Sequence, residues 1–143
     1  MKFLNDYMEE KQTELFKATG TFFAFSVEQL NEGLKINGRP EEDHVNMGSG
    51  MFCLKENAKK LSKGLFNIYE EGIKEDIKEN GPESILKREH INHETSYTGE
   101  AEQALDALED YIVNNRELFP NKLIKKVFKG IWGVDEWLEN KGL

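Results

Sequence analysis

Apolar residues recur at three- and four-residue intervals through most of this chain, a spacing that places them on one side of a 3.6-residue helix. The longest such stretch runs from Lys55 to Gly99. Its first arm carries Ala58, Leu61, Leu65, Phe66, Ile68, Tyr69, Ile73 and Ile77 on one stripe, with lysines and acidic side chains opposite. Leu61, Leu65, Ile68 and Ile73 are therefore expected in the core. Asn80-Gly81-Pro82-Glu83 interrupts the pattern. Glycine can adopt the left-handed conformation that closes a helix, and proline suits the first turn of the next. The spacing thus predicts a break at Gly81-Pro82 and a second, shorter helix from Ile85 to Tyr97.

Elsewhere the pattern is more punctuated. Phe3 to Ala18 reads as an opening helix stopped by Gly20. Thr21-Phe22-Phe23-Ala24-Phe25 is short and aromatic, which predicts a strand. Ser26 and Gln29 form a capping-box signature ahead of a short helix from Val27 to Leu34. Asn37-Gly38-Arg39-Pro40 is a turn by composition. His44 to Met47 and Met51 to Leu54 are two further strands, joined by a tight turn at Gly48-Ser49-Gly50. That triplet lacks the spacing and the Gly-Lys-Ser/Thr of a phosphate loop. Toward the C-terminus, Ala101 to Ile112 reads as one amphipathic helix ended by Asn114 and Asn115. Pro120 begins another, and Val134 to Asn140 forms a last one with Trp137 and Leu138 turned inward. The fold class expected is α+β: a helix-rich single domain, 1–143, with a small two- or three-stranded antiparallel sheet.

Composition narrows the functional classes. At 143 residues the chain is long enough to bury a core without disulfides. Its single cysteine, Cys53, lies in an apolar run and is expected to be buried and inert. A formal charge of −8 argues against nucleic acid as a partner. Lys122, Lys125, Lys126 and Lys129 form a basic stretch, read here as an ordinary solvated helix face. No segment is long and apolar enough to span a membrane, so no membrane partner is expected and the cytoplasm is the expected compartment.

One segment concentrates chemically capable side chains: Glu89-His90-Ile91-Asn92-His93-Glu94, with Tyr97 close behind. On a continuous helix Leu86, His90, His93 and Tyr97 share a stripe, while Glu89 pairs with His93 and His90 with Glu94 at i,i+4. Two imidazoles one turn apart can converge on a metal ion, with a carboxylate completing the set. The pattern is His-x-x-His-Glu, however, and differs from the His-Glu-x-x-His of zinc proteases. The third histidine, His44, lies far away in sequence. The candidate polar cluster is Glu89, His90, Asn92, His93, Glu94 and Tyr97, and the favoured expectation is that Asn92, His93 and Glu94 within it form a structural hydrogen-bonded latch, with no metal and no cofactor.

The blocks Phe22-Phe23-Ala24-Phe25-Ser26 with Glu28-Gln29, Gly50-Met51-Phe52-Cys53 with Lys55-Glu56-Asn57, and Lys87-Arg88-Glu89 with Asn92-His93-Glu94 and Tyr97-Thr98-Gly99 resemble a family of small uncharacterised proteins. Such proteins occur in phages, plasmids and related mobile elements. The resemblance runs from about Glu14 to Tyr111. It implies a genetic setting and no assigned activity. The function expected is a non-enzymatic interaction protein acting on a host or element-encoded protein. The alternatives are a small metal-dependent enzyme or ligand-binding domain centred on His93 and Glu94, and a homodimeric scaffold. A DNA mimic ranks low, because lysines are interspersed among the acids of Lys55 to Lys78.

Overall fold

In the computed structural model, which describes residues 1–143, helix α1 covers Leu4–Thr19. It starts where the Asp6 carboxylate accepts the Phe3 N–H at 2.8 Å and closes at Gly20. Strand β1 is Phe22–Phe23, shorter than the aromatic run predicts. One further bond crosses to the Gly48-Ser49-Gly50 turn, from the Ala24 N–H to the Gly50 carbonyl at 2.8 Å, and the Phe25 N–H is then taken by the Gln29 side chain at 2.7 Å. Ser26 Oγ accepts from the Gln29 N–H at 3.2 Å, so the expected cap forms, with its return arm on Phe25 instead of Ser26. Helix α2 then covers Val27–Asn37, one turn beyond the expected Leu34.

Strand β2 (His44–Gly48) and strand β3 (Met51–Leu54) complete a three-stranded antiparallel sheet in the order β1-β3-β2. Phe22 lies opposite Phe52, their rings stacked 5.6 Å apart, and Val45 lies opposite Cys53. Cys53 is fully buried, and burial raises its thiol pKa. His44 opens β2, as the strand expected from His44 to Met47 has it, and is buried. Its Nδ1 lies 2.9 Å from the Pro40 carbonyl oxygen, and its Nε2 lies 3.0 Å from Asn37 Nδ2. An Nδ1–H tautomer satisfies both contacts.

Helix α3 covers Ala58–Asn80. Two compact units divide the chain, Lys2–Lys74 and Glu75–Leu143, with the boundary inside this helix. In the first unit Leu61 and Ile73 are buried as expected, whereas Leu65 and Ile68 are only half-buried and Phe66 is 60% exposed. The reason is where α1 approaches. A Cβ on Gly64 would lie 2.6 Å from the Leu15 side chain, and one on Gly72 would lie 2.9 Å from that of Met8. The contact therefore centres on a row of small residues, and the bulkiest members of the stripe sit at its margin.

The second unit begins with the last turn of α3. Gly81, at φ 79°, makes the expected break, and α4 (Pro82–Asn92) opens with proline in its first turn. There follow α5 (Thr95–Thr98), α6 (Glu102–Ala107), α7 (Glu109–Asn114), α8 (Asn121–Val127) and α9 (Val134–Asn140). The single helix expected from Ala101 to Ile112 is thus two, parted at Leu108, whose φ of −105° and ψ of 8° leave the helical range. Ile85, Leu86, Leu105, Ile112, Phe119 and Ile124 are fully buried, and Trp137 and Leu138 point inward as expected. In the basic stretch, Lys126 pairs with Glu83 at 3.0 Å and Lys125 with Asp135 at 3.3 Å. No helix is long and apolar enough to cross a membrane.

Candidate functional site

Helix α4 carries two polar clusters on neighbouring residues. The inner one is built on Arg88, three residues beyond buried Ile85 and so on the core side of the helix. Its guanidinium meets Asp76 through two bonds, Nη1 to Oδ1 at 3.0 Å and Nη2 to Oδ2 at 2.8 Å. Tyr111 on α7 donates its hydroxyl to Asp76 Oδ2 at 2.5 Å, and Asn80 donates to Oδ1 at 2.8 Å. Asp76 is fully buried, Arg88 is 7% exposed and Tyr111 2%. Burial alone would push the Asp76 carboxyl up; the hydrogen bonds from Arg88, Tyr111 and Asn80, with the Arg88 charge, outweigh it and hold the pKa below the usual value. The same carboxylate, together with burial, raises the Tyr111 phenol, so the tyrosine stays a neutral donor.

The outer cluster is the one the sequence points to, and the structure brings only part of it together. Glu89 and His93 pair at 3.1 Å, as the i,i+4 spacing predicts. Asn92 donates to Glu89 at 3.5 Å, and Glu89 also lies 3.4 Å from Arg88 Nε. A chain of polar contacts thus runs from buried Asp76 through Arg88 and Glu89 to half-exposed His93.

The other expected pair, His90 with Glu94, does not form. The expected helix from Ile85 to Tyr97 ends at Asn92, and Glu94 takes the left-handed conformation at φ 49° and ψ 39°. Buried Thr95 holds this corner by donating its hydroxyl to the His90 carbonyl at 3.2 Å. His90 Nε2 meets Ser96 Oγ at 3.2 Å instead, and its ring stands edge-on to Phe128. Because the helix turns, the stripe Leu86, His90, His93 and Tyr97 is lost beyond His93, and Tyr97 is 91% exposed. No group of three or more His, Cys, Asp or Glu side chains gathers as a metal site. The corner instead forms an open groove of about 630 Å³ lined by His90, Ile91, Glu94, Ser96 and Tyr97.

Asp76, Asn80, Arg88, Thr95, Ser96 and Tyr111 escaped the sequence reading as site residues. One signal was present for Asp76: it lies three residues after Ile73, a charged side chain on an otherwise apolar stripe. Fold and site together define a helix-rich α+β protein with a buried charge network and a surface groove. The chain belongs to a family of unknown function (DUF7659), which matches residues 4–133. The match takes in the start of the opening helix and the basic segment, both outside the stretch from Glu14 to Tyr111 that carries the resemblance. No match was found among curated proteins or among solved structures.

Proposed function

We propose that this chain is a non-enzymatic interaction protein that binds another protein at the α4–α5 corner. The observation that carries this reading is the pair Ile91 and Tyr97, 75% and 91% exposed, flanking the groove. Large apolar side chains left in solvent on a well-braced frame suit capture of an apolar segment of a partner, and tyrosine is favoured at the centres of such contacts. Helix α4, which carries His90 and Ile91, is itself tied to the core by the Arg88 bonds to Asp76, so this part of the groove is ordered before any partner arrives. The resemblance to proteins of mobile elements makes a host or element-encoded protein of the cytoplasm the partner class in this reading.

The test compares capture from host lysate by the wild type and by Tyr97→Ala and Ile91→Ser variants, each checked for an unchanged thermal midpoint. A retained protein lost from both variants supports the reading; equal retention by all three overturns it. Zinc or manganese held stoichiometrically by the native protein and lost in a stable His93→Ala variant would overturn it in favour of a metal-dependent enzyme.

A further inference from the structure

A second cavity, separate from the groove, lies where α6 and α9 approach the segment around Trp132. It encloses about 140 Å³ and is lined by Glu100, Glu102, Trp132, Glu136, Trp137 and Asn140. This is close to the cavity of about 150 Å³ that accommodates a benzene-sized molecule. The two tryptophans are anchored differently, Trp132 at its backbone and Trp137 at its ring. Trp132 is fixed through its backbone, its N–H donating to the Gly99 carbonyl at 2.9 Å and its carbonyl accepting from the Ala101 N–H at 3.1 Å. This short parallel bridge sets Glu100 directly beside it. Trp137 is fixed through its ring, Nε1 donating to Asp106 at 2.8 Å. Yet Trp132 is 69% exposed, a large aromatic surface that the fold leaves in solvent.

The charged side chains that line the cavity are all carboxylates. Glu100, Glu102 and Glu136 all line the cavity, and none makes an ion pair. Lys141 does not line the cavity: it is bound to Glu109 at 2.7 Å and stands over the Trp137 ring, 5.8 Å from its centre, where Asp106 and Glu102 also act on its charge. A bare divalent ion does not fit this arrangement, since no three carboxylates converge as ligands. A weakly hydrated organic cation does. Its charge would be matched by the carboxylates, and its C–H surface would lie against the indole faces, whose quadrupole attracts cations.

We propose that this pocket binds a trimethylammonium group, presented either by a small molecule or by a methylated lysine side chain. The proposal rests on no residue of the Ile91–Tyr97 groove, so either can fail without the other. The experiment titrates the full chain with choline and follows the two tryptophan indole N–H signals by NMR. The neutral isostere 3,3-dimethyl-1-butanol and Nα-acetyl-Nε-trimethyllysine amide form parallel arms. The expected result is a saturable shift of both indole signals with choline and none with the neutral isostere, weakening as salt rises. Trp132→Ala and the double change Glu100→Gln with Glu136→Gln, all at exposed positions, should each weaken choline binding about tenfold. Tighter binding of the trimethyllysine amide than of choline supports a protein-borne ligand; equal or weaker binding supports a free one. A non-saturating shift, an equal response to the neutral isostere, or unchanged affinity in the Trp132→Ala variant would overturn the proposal.

Discussion

Arg88 and His93 belong to one helical segment five residues apart, and both face a carboxylate, but they sit in opposite physical regimes. The Arg88–Asp76 pair is removed from water and fully hydrogen-bonded, with Tyr111 and Asn80 filling the carboxylate's remaining positions. The His93–Glu89 pair has side chains 28% and 12% exposed, at a corner where the helix has already ended. Desolvation makes the first pair costly to break, because whichever partner remains is left as a buried, uncompensated charge. Water screens the second and can replace either partner. Sequence proximity and charge complementarity alone do not separate these cases. What separates them is which side of α4 meets the core.

The contrast is tested most severely at Arg88. Arg88→Met should lower stability by about 3–5 kcal/mol, read as a denaturant midpoint, since it strands a buried carboxylate. Arg88→Lys should recover little, because an ammonium cannot reproduce the two parallel bonds to Asp76. An Arg88→Met protein as stable as the wild type would erase the distinction between the clusters.

Acid should find the same network. The folded-state pKa of Asp76 lies below its unfolded value, so its contribution to stability is complete above the unfolded pKa of about 3.9 and is lost as pH falls through the lower folded value. Urea midpoints measured downward from about pH 5 should therefore fall for the wild type. They should fall less for Asp76→Asn, which starts from a lower plateau. Parallel curves would show that other carboxylates dominate acid unfolding.

Tyr111→Phe removes one of four hydrogen bonds to Asp76 and should cost about 1–3 kcal/mol by thermal or chemical unfolding. At the corner the expected effects shrink and one changes sign. Glu94→Gly relieves a left-handed non-glycine residue and should raise stability by up to about 1 kcal/mol, net of the extra freedom glycine has when unfolded. His93→Ala should lower stability by less than about 1 kcal/mol. A loss of several kcal/mol there would mean that the outer pair shares the energetics of the inner one.

The chain's own periodicity determined most of the helices and strands and some of their ends. The break at Gly81-Pro82, the turn at Gly48-Ser49-Gly50, the cap at Ser26 and the inward face of Trp137 and Leu138 all follow from residues within a turn of one another. Local signals of that kind act through backbone conformation and near-neighbour hydrogen bonds, and a reader of the sequence has both partners in view. Tertiary structure decided what the polar residues do. Asp76 draws its partners from 12 and 35 residues away, and only their convergence makes a charge on an apolar stripe tolerable. The corner at Glu94 was likewise invisible, because Thr95 must be buried before its hydroxyl is committed to the His90 carbonyl and the left-handed turn is held. The same convergence sets Glu100 beside Trp132, two residues whose partnership exists only in the backbone bridge between them.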